Sequence, residues 1–310
     1  MLSKVDANGN WRSFRHRNYR ILYPANALSN IGSWAQRVAQ DWLVLQLTDN
    51  SGTALGLITA IQFAPTLLLS MHGGLLADKV DKRKLLIATN ILAGLSSLTL
   101  GLLVVTDLVK LWHVMACATV LGIANALDAP IRQAFTSEIV GQSDVANAVS
   151  LNSANFNAGR LVGPAVSGFL IARFDTGPSF LINGSTYFFV IVALLAMRPS
   201  EFFIQKKEKT AGTIREALSY VRTHSDHAIR GRVMGIYLTI FMGGTPFGSP
   251  LIGWLMENIG VRQTVFLCGF IALAAVAITY VIFKDKVDRP DDLRVSSVLS
   301  VDADYGDKTN

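Results

Sequence analysis

The sequence predicts an all-α polytopic membrane protein with about eight transmembrane helices. Of its 310 residues, 51% are hydrophobic and only 16% are charged, whereas a soluble domain carries about 25% charged residues. The charged residues are gathered in short segments between apolar runs of about 18–25 residues, the length that crosses the hydrocarbon core of a bilayer. The net charge of +6 needs no nucleic-acid partner, because basic residues accumulate in cytoplasmic loops of membrane proteins.

The apolar runs and the charges divide the chain into five segments. Basic residues are frequent before the first run and after the second, sixth and eighth runs, so the positive-inside rule places both termini in the cytoplasm. The predicted segments are a cytoplasmic N-terminal segment (1–20), six helices (21–197, the fourth ending near 129), a cytoplasmic linker with an amphipathic helix at 214–221 (198–232), two further helices (233–283) and a disordered cytoplasmic tail (284–310).

The first apolar run is unusually polar for a membrane span. It contains Asn30, Arg37 and Asp41, and polar groups at membrane depth must face protein or water. We therefore expect this helix to line a cavity. Arg37 and Asp41 are four residues apart and share a helical face, so they form either a structural ion pair or a site that couples transport to ions. Arg160, in the fifth run, has the same two interpretations.

A dense charge cluster follows the second run, where residues 73–84 read GGLLADKVDKRK. Charge alone is consistent with an ordinary cytoplasmic loop. A second charged pair, Asp128 and Arg132, closes the fourth run at i, i+4 spacing, as a simple salt bridge or as a gate. The fifth run contains Gly159, Gly163 and Gly168, and such small residues allow helices to approach closely.

These motifs together resemble those of the major facilitator superfamily, in its enterobactin-exporter-like drug-efflux branch of the transmembrane secretion effector type. The loop pattern there usually reads G-x-L-A-D-R-x-G-R-K, and Asp81 stands where the family commonly has glycine. The resemblance implies a transporter in the plasma (inner) membrane that exports a small molecule, a drug, siderophore or metabolite, by proton antiport. Membrane lipid, substrate and protons are then its partners, and no enzymatic activity, cofactor or metal is expected.

The resemblance also implies roles for particular residues. A gating loop would contain Gly74, Asp78, Lys79, Lys82 and Arg83, with Asp78 contacting the start of span eleven. A gating salt bridge would join Asp128 to Arg132. The antiporter motif of span five would use four residues for helix packing: Gly159, Gly163, Pro164 and Gly168.

The resemblance breaks after the sixth span. Residues 230–254 resemble span eleven of the family rather than span seven, so spans seven to ten, on the order of 110 residues at about 20 per span plus loops, are missing. The join lies near residues 224–227. A second hypothesis is therefore an internally deleted remnant that inserts but does not transport, since alternating access needs two halves. Substrate, coupling ion and oligomeric state stay open.

Overall fold

The structure, a computed structural model, describes residues 9–203 and 244–287, without the side chains of residues 70–79 and 282–287. These described residues form two short 3-10 turns and eight α-helices, and no strand. The helices are α1 (Arg17–Leu47), α2 (Gly52–Lys79), α3 (Lys82–Val105), α4 (Leu111–Val140), α5 (Val145–Phe174), α6 (Gly177–Leu195), α7 (Thr245–Ile259) and α8 (Val261–Val287). The predicted all-α, multi-pass fold is confirmed.

Five of these helices are long and apolar enough to cross a membrane by length and composition: α2, α3, α4, α6 and α8. The helices α1 and α5 are each long enough, at 31 and 30 residues, to span about 45 Å at 1.5 Å per residue. They fall outside that set because of their polar residues, which is the property that made α1 a candidate cavity helix.

Three helix boundaries differ from the prediction. Helix α1 begins at Arg17 within the predicted N-terminal segment, and α8 runs to Val287, past the predicted start of the tail. Helix α4 continues through Pro130 to Val140 instead of ending near 129, and its apolar residues Ile131, Phe135 and Ile139 are all buried. This buried stripe at four-residue spacing holds the helix together where proline removes one backbone hydrogen bond. The predicted amphipathic helix at 214–221 and the tail beyond 287 lie outside the described residues.

Six helices pack as a bundle in which sequence neighbours are not always spatial neighbours. Helix α1 packs on α5 and α6, α2 packs on α4, and α3 packs on both α4 and α6. Small residues permit these contacts: a Cβ added at Gly184 would lie 2.6 Å from Leu98 Cγ, and one at Gly101 would lie 2.8 Å from Leu181 Cδ2. Close backbone approach of this kind drives helix association in membranes, where burial of apolar surface adds little.

Two apolar clusters close the bundle at opposite ends. One cluster lies around the start of α1 and the end of α4, and its buried members include Tyr19, Leu22, Leu86, Ile131, Phe135, Ile139, Val190 and Leu194. The other lies around the end of α1 and the start of α4, with Ala39, Leu43, Val44, Ile58, Leu100, Val114, Ala118 and Phe180. Between these clusters lie a small apolar cluster of Ala93, Leu121, Ala124 and Tyr187 and a group of polar side chains from α1, α3, α4, α5 and α6, which we call the polar layer.

Helix α7 approaches the beginning of α2. The chain up to Trp254 forms one compact unit and the remainder a second. Within the first unit, Gly253 lies against the backbone of Gly52, and Gly56 lies against the backbone of Ser249 and Pro250. The two helices therefore run antiparallel here, with small residues four apart on both, the pattern that allows close crossing.

Candidate functional site

The polar layer contains a cavity of about 210 Å³. Its wall is formed by α1, α3, α4, α5 and α6 and is rich in carboxamide side chains, each of which can donate and accept hydrogen bonds. The polar and aromatic lining residues are Asn26, Ser29, Asn30, Ser33, Thr89, Asn90, Asn125, Asp128, Arg132, Asn152, Asn155, Phe156 and Tyr187. A wall of this composition suits a ligand that makes many hydrogen bonds.

An ion pair between Asp128 and Arg132 is the charged centre of the cavity. Arg132 is bidentate: its Nε donates to Asp128 Oδ2 at 2.6 Å and its Nη2 donates to Oδ1 at 3.0 Å. Thr89 Oγ1 and Asn90 Nδ2 also donate to Asp128 Oδ1, at 2.9 and 3.1 Å. Arg132 Nη1 donates to the side-chain oxygen of Asn26. The pair thus connects α4 to α3 and α1.

The position of this pair corrects the sequence analysis. We expected Asp128 and Arg132 at the cytoplasmic end of the fourth span, but α4 extends to Val140 and both residues line the cavity. The spacing alone predicted their contact, because residues four apart on a helix are neighbours. The partners Thr89 and Asn90 were missed, although Asn90 is the one carboxamide between Leu85 and Val105.

A second, smaller chamber of about 30 Å³ lies further along α1. Its wall contains Gln36, Gln40 and Gln62, and it shares Ser33, Asn125 and Tyr187 with the large cavity. Gln36 Oε1 accepts from Asn183 Nδ2 at 2.6 Å and from Ser97 Oγ. Gln40 Nε2 is buried and has no hydrogen-bond partner within the described part of the chain. The chamber is large enough for a water molecule, which would accept from Gln40.

The four residues predicted as cavity or coupling groups separate in the structure. Asn30 lines the large cavity and Arg37 lines the small chamber, whereas Asp41 and Arg160 line neither. An ion pair was one of two interpretations of Arg37 and Asp41, and neither residue belongs to any of the six ion pairs of the described residues, although their opposite charges still attract each other. The guanidinium of Arg37 lies instead over the ring of Trp34, 4.8 Å from its centroid.

The predicted gating loop is anchored to the bundle through α3. Lys82 Nζ donates to Glu138 Oε1 on α4 at 2.7 Å, and Arg83 donates to the carbonyls of Leu194 and Leu195 at the end of α6. Basic groups are favourable at such a helix C-terminus. Asp81 is the N-cap of α3 and accepts from Lys84 N at 3.2 Å with a φ of −58°. The turn therefore needs no glycine.

The remaining predicted gating residues belong to the last part of α2. The backbone of Gly74, Asp78 and Lys79 is helical, and their side chains lie outside the described part of the structure. Their predicted roles stay predictions.

The small residues of α5 divide between two faces of the helix. Gly159 packs against the backbone of Asn30, and Gly163 packs against Trp34 Cβ. Nothing lies within 4 Å of a Cβ added at Gly168, and Pro164 is exposed. The packing role expected for Gly168 is wrong for the described residues, because a step of five residues turns the helix by about 500°, off the face set by steps of four. Ser167, fully buried, continues that face.

A cluster missed by the sequence analysis joins the N-terminal segment to the α4–α5 connection. The carboxylate of Asp144, with its side chain only 2% exposed, contacts Arg12, Arg15 and His16 at 3.4, 2.8 and 2.7 Å. Burial opposes ionisation of Asp144, but the hydrogen bond from His16 and the nearby arginine charges lower its pKa below the ordinary value. The segment before α1 is thus fastened to the bundle.

Residues 8–228 match the model of the transmembrane secretion effector family, and residues 217–299 match the model of the Major Facilitator Superfamily. The chain is 28% identical over 211 residues to the staphyloferrin A transporter of Staphylococcus aureus, covering 67% of this chain and 52% of that protein. It is 25% identical over 185 residues to the multidrug efflux pump Tap of Mycolicibacterium fortuitum, covering 57% and 44%. The chain spans about half the length of the curated relatives it matches.

Proposed function

Because the chain belongs to the transmembrane secretion effector family of the major facilitator superfamily, we propose that it exports a small molecule by proton antiport. The observation that carries the proposal is the polar cavity, which contains an ion pair and lies between two apolar clusters. Charged groups at membrane depth are costly, and in transporters they mark substrate or proton pathways. Relatives named for siderophore transport and multidrug efflux support a small molecule as the substrate class.

In this proposal, Asp128 and Arg132 form the charged part of the transport path. The carboxylate of Asp128 holds Arg132 bidentately, and it accepts from Thr89 and Asn90 of α3. A rearrangement of this pair during transport would let the guanidinium contact a ligand in the cavity. The small chamber, with room for water beside Gln40, extends the polar path towards Arg37.

The same proposal assigns the gate and the orientation. Lys82 and Arg83 join α3 to α4 and α6 at the loop end of α2, so that this end moves as one body. Asp78 would close the path by meeting the start of the last helix pair, since a carboxylate is stabilised at a helix N-terminus. This end and both termini would lie on the cytoplasmic side of the inner membrane, which the basic residues of the loops support.

The test is proton release from vesicles. The full chain is reconstituted in proteoliposomes containing a pH-sensitive dye, and an outward-directed proton gradient is imposed. Candidate substrates, ethidium and citrate among them, are added outside. Substrate-dependent proton release that an uncoupler abolishes and that Arg132→Gln suppresses is the expected result. Release that is equal in protein-free vesicles would refute the proposal.

A second candidate function is favoured by the length of the chain. It spans about half of its relatives, and alternating access needs two halves around one site. The residues 21–197 would then form the first half, 198–232 the linker, and 233–283 the last two spans of an internally deleted remnant that inserts but does not transport. This candidate predicts no proton release with any substrate. If sequencing of the source gene across codons 222–232 finds a longer, uninterrupted gene there, the short chain is a defective copy or an assembly error.

A further inference from the structure

Arg37 joins α1 to α2 through an aromatic ring. Its guanidinium carbon lies 4.8 Å from the ring centroid of Trp34 on the same helix and 5.1 Å from that of Phe63 on α2. A planar guanidinium is attracted to the faces of aromatic rings, and more strongly where water is excluded. Helix α2 packs mainly on α4, whereas α1 packs on α5 and α6. The contact of Arg37 with Phe63 therefore connects two different parts of the bundle.

This contact lies beside the small chamber. Arg37 lines the chamber, and Gln62, directly before Phe63, is the one residue of α2 in its wall among the described residues. Gln62 is buried, so α2 closes the chamber on this side. Because the chamber shares Ser33 and Tyr187 with the large cavity, an opening between α1 and α2 at this point also leads towards the cavity.

The same part of α2 contains a point at which the helix can bend. Pro65 lies inside α2, where it has no N–H to donate to the preceding turn, and long helices bend at such positions. A Cβ added at Gly122 of α4 would clash with the backbone oxygen of Gln62 and would lie 3.1 Å from Pro65 Cγ, so α4 supports α2 closely here. A change in this bend displaces Gln62 and Phe63 together.

The guanidinium of Arg37 has a second partner within reach. Asp41 lies one turn later on α1, and the opposite charges of the two residues attract each other. They are nevertheless beyond ion-pair distance, since neither belongs to the six ion pairs of the described residues. When Phe63 withdraws, the guanidinium can turn to the carboxylate of Asp41. The side chain thus has two alternative arrangements, and the position of α2 decides between them.

We propose that Arg37 is a latch: stacked on Phe63 it holds α2 over the small chamber, and turned to Asp41 it lets the interface between α1 and α2 open. This inference goes beyond the proposed function, because it concerns how one wall of the polar layer is fastened and holds whether or not the chain transports. Phe63 lies in α2 well before the gating loop that follows this helix, so the latch and the loop are separate contacts.

The test measures how fast a cysteine in the chamber wall reacts with 2-hydroxyethyl methanethiosulfonate, a small neutral thiol reagent, in detergent micelles. The reporter is Leu121→Cys, which lines the chamber but not the large cavity, in the full chain with Cys117→Ala and Cys268→Ala. Phe63→Leu keeps an apolar side chain but removes the ring, and should make labelling about tenfold faster. Phe63→Tyr keeps the ring and should label as slowly as the reporter chain. Asp41→Asn removes the competing partner of Arg37 and should slow labelling about threefold.

Two further variants complete the comparison. Arg37→Met removes the charge and keeps an unbranched side chain, so it should label like Phe63→Leu, and it serves in its place if that variant does not fold. Phe189→Leu replaces an exposed aromatic residue of α6; this matched control should label like the reporter chain. Only variants that are helical and monodisperse in size-exclusion chromatography are compared.

Two results overturn the latch. Equal labelling rates in Phe63→Leu and Phe63→Tyr would show that Phe63 only fills space, and an unaltered or faster rate in Asp41→Asn would show that Arg37 does not alternate between two partners. The proposed function fails separately. The expected differences in labelling, found in a chain that releases no protons with any substrate, refute transport and leave the latch. Substrate-driven proton release with equal labelling in all variants refutes the latch and leaves transport.

Discussion

Breaking the ion pair of Asp128 and Arg132 is expected to weaken the bundle more than any exposed pair does. Asp128→Asn removes the charge that Arg132 contacts through two hydrogen bonds, and Arg132→Gln leaves the carboxylate with only the neutral donors Thr89 and Asn90. In both variants a charged group is left in the cavity without its counter-charge. Each variant is therefore expected to lower the free energy of unfolding.

The magnitude follows from the exposure of the two side chains, 26% for Arg132 and 18% for Asp128. Removing one partner of a fully buried pair costs about 3–5 kcal/mol, and exposed pairs contribute about 0.2–1 kcal/mol. A mostly buried, bidentate pair lies between these limits, so each single variant should lose about 2–3 kcal/mol. The double variant should lose less than the sum of the two, with a coupling energy of about 1–2 kcal/mol.

The assay is unfolding in mixed detergent micelles, titrated with sodium dodecyl sulfate and followed by helical ellipticity, for the unaltered chain and the three variants. The control is the exposed pair Arg198 and Glu201, whose side chains are 63% and 36% exposed. The same two single variants and double variant are made there, and the coupling energy of this double-mutant cycle should be less than about 1 kcal/mol. The result would show that the pair does not hold α4 to its neighbours if the losses of unfolding free energy in Asp128→Asn and Arg132→Gln simply add. The same conclusion follows if the coupling energy equals that of the exposed control pair.

Three further outcomes are expected. Gly163→Leu should prevent α5 from packing on Trp34 and reduce the yield of folded protein, while Gly168→Leu, with nothing within 4 Å, should leave the yield unchanged in size-exclusion chromatography. Because the pKa of Asp144 is lowered in the folded state, its contribution to stability is present above the unfolded value of about 3.9 and is lost as the pH falls through the folded pKa; unfolding between pH 3 and pH 7 should therefore depend less on pH in Asp144→Asn. Gln40→Met should cost about 1–2 kcal/mol in the micelle titration if the chamber holds a water, and a neutral or stabilising result would show that it is dry.

Two pairs with identical spacing show how far the sequence predicts the site. Asp128 and Arg132, like Arg37 and Asp41, are four residues apart on one helix, but only the first pair forms. In the pair that forms, the acid precedes the base, the order that a helix favours. In the other pair the order is reversed, and Arg37 finds an aromatic ring instead. Spacing predicts a shared face, while order and neighbours decide the contact.

Contacts between helices that are distant in the sequence could not be predicted from sequence patterns. The hydrogen bonds from Thr89 and Asn90 to Asp128 depend on how α3 packs against α4, which no local spacing encodes. The small residues of α5 were found from the sequence, but their assignment to one face failed at Gly168 and overlooked the buried Ser167. A strict step of four residues would have selected Ser167.

The contacts that hold the charged centre of the cavity all come from the first six helices. In the described residues, every side-chain hydrogen bond to the carboxylate of Asp128 and to the guanidinium of Arg132 comes from α1, α3 or α4. Loss of later spans would therefore change what closes the cavity against water and lipid, but not what positions its charged centre. Folding of the first six helices and transport by the whole chain are then separable properties. A chain that retains the coupling energy of this ion pair but releases no protons has a correctly folded first half and lacks its counterpart, whereas a chain that has lost both has a bundle that does not assemble.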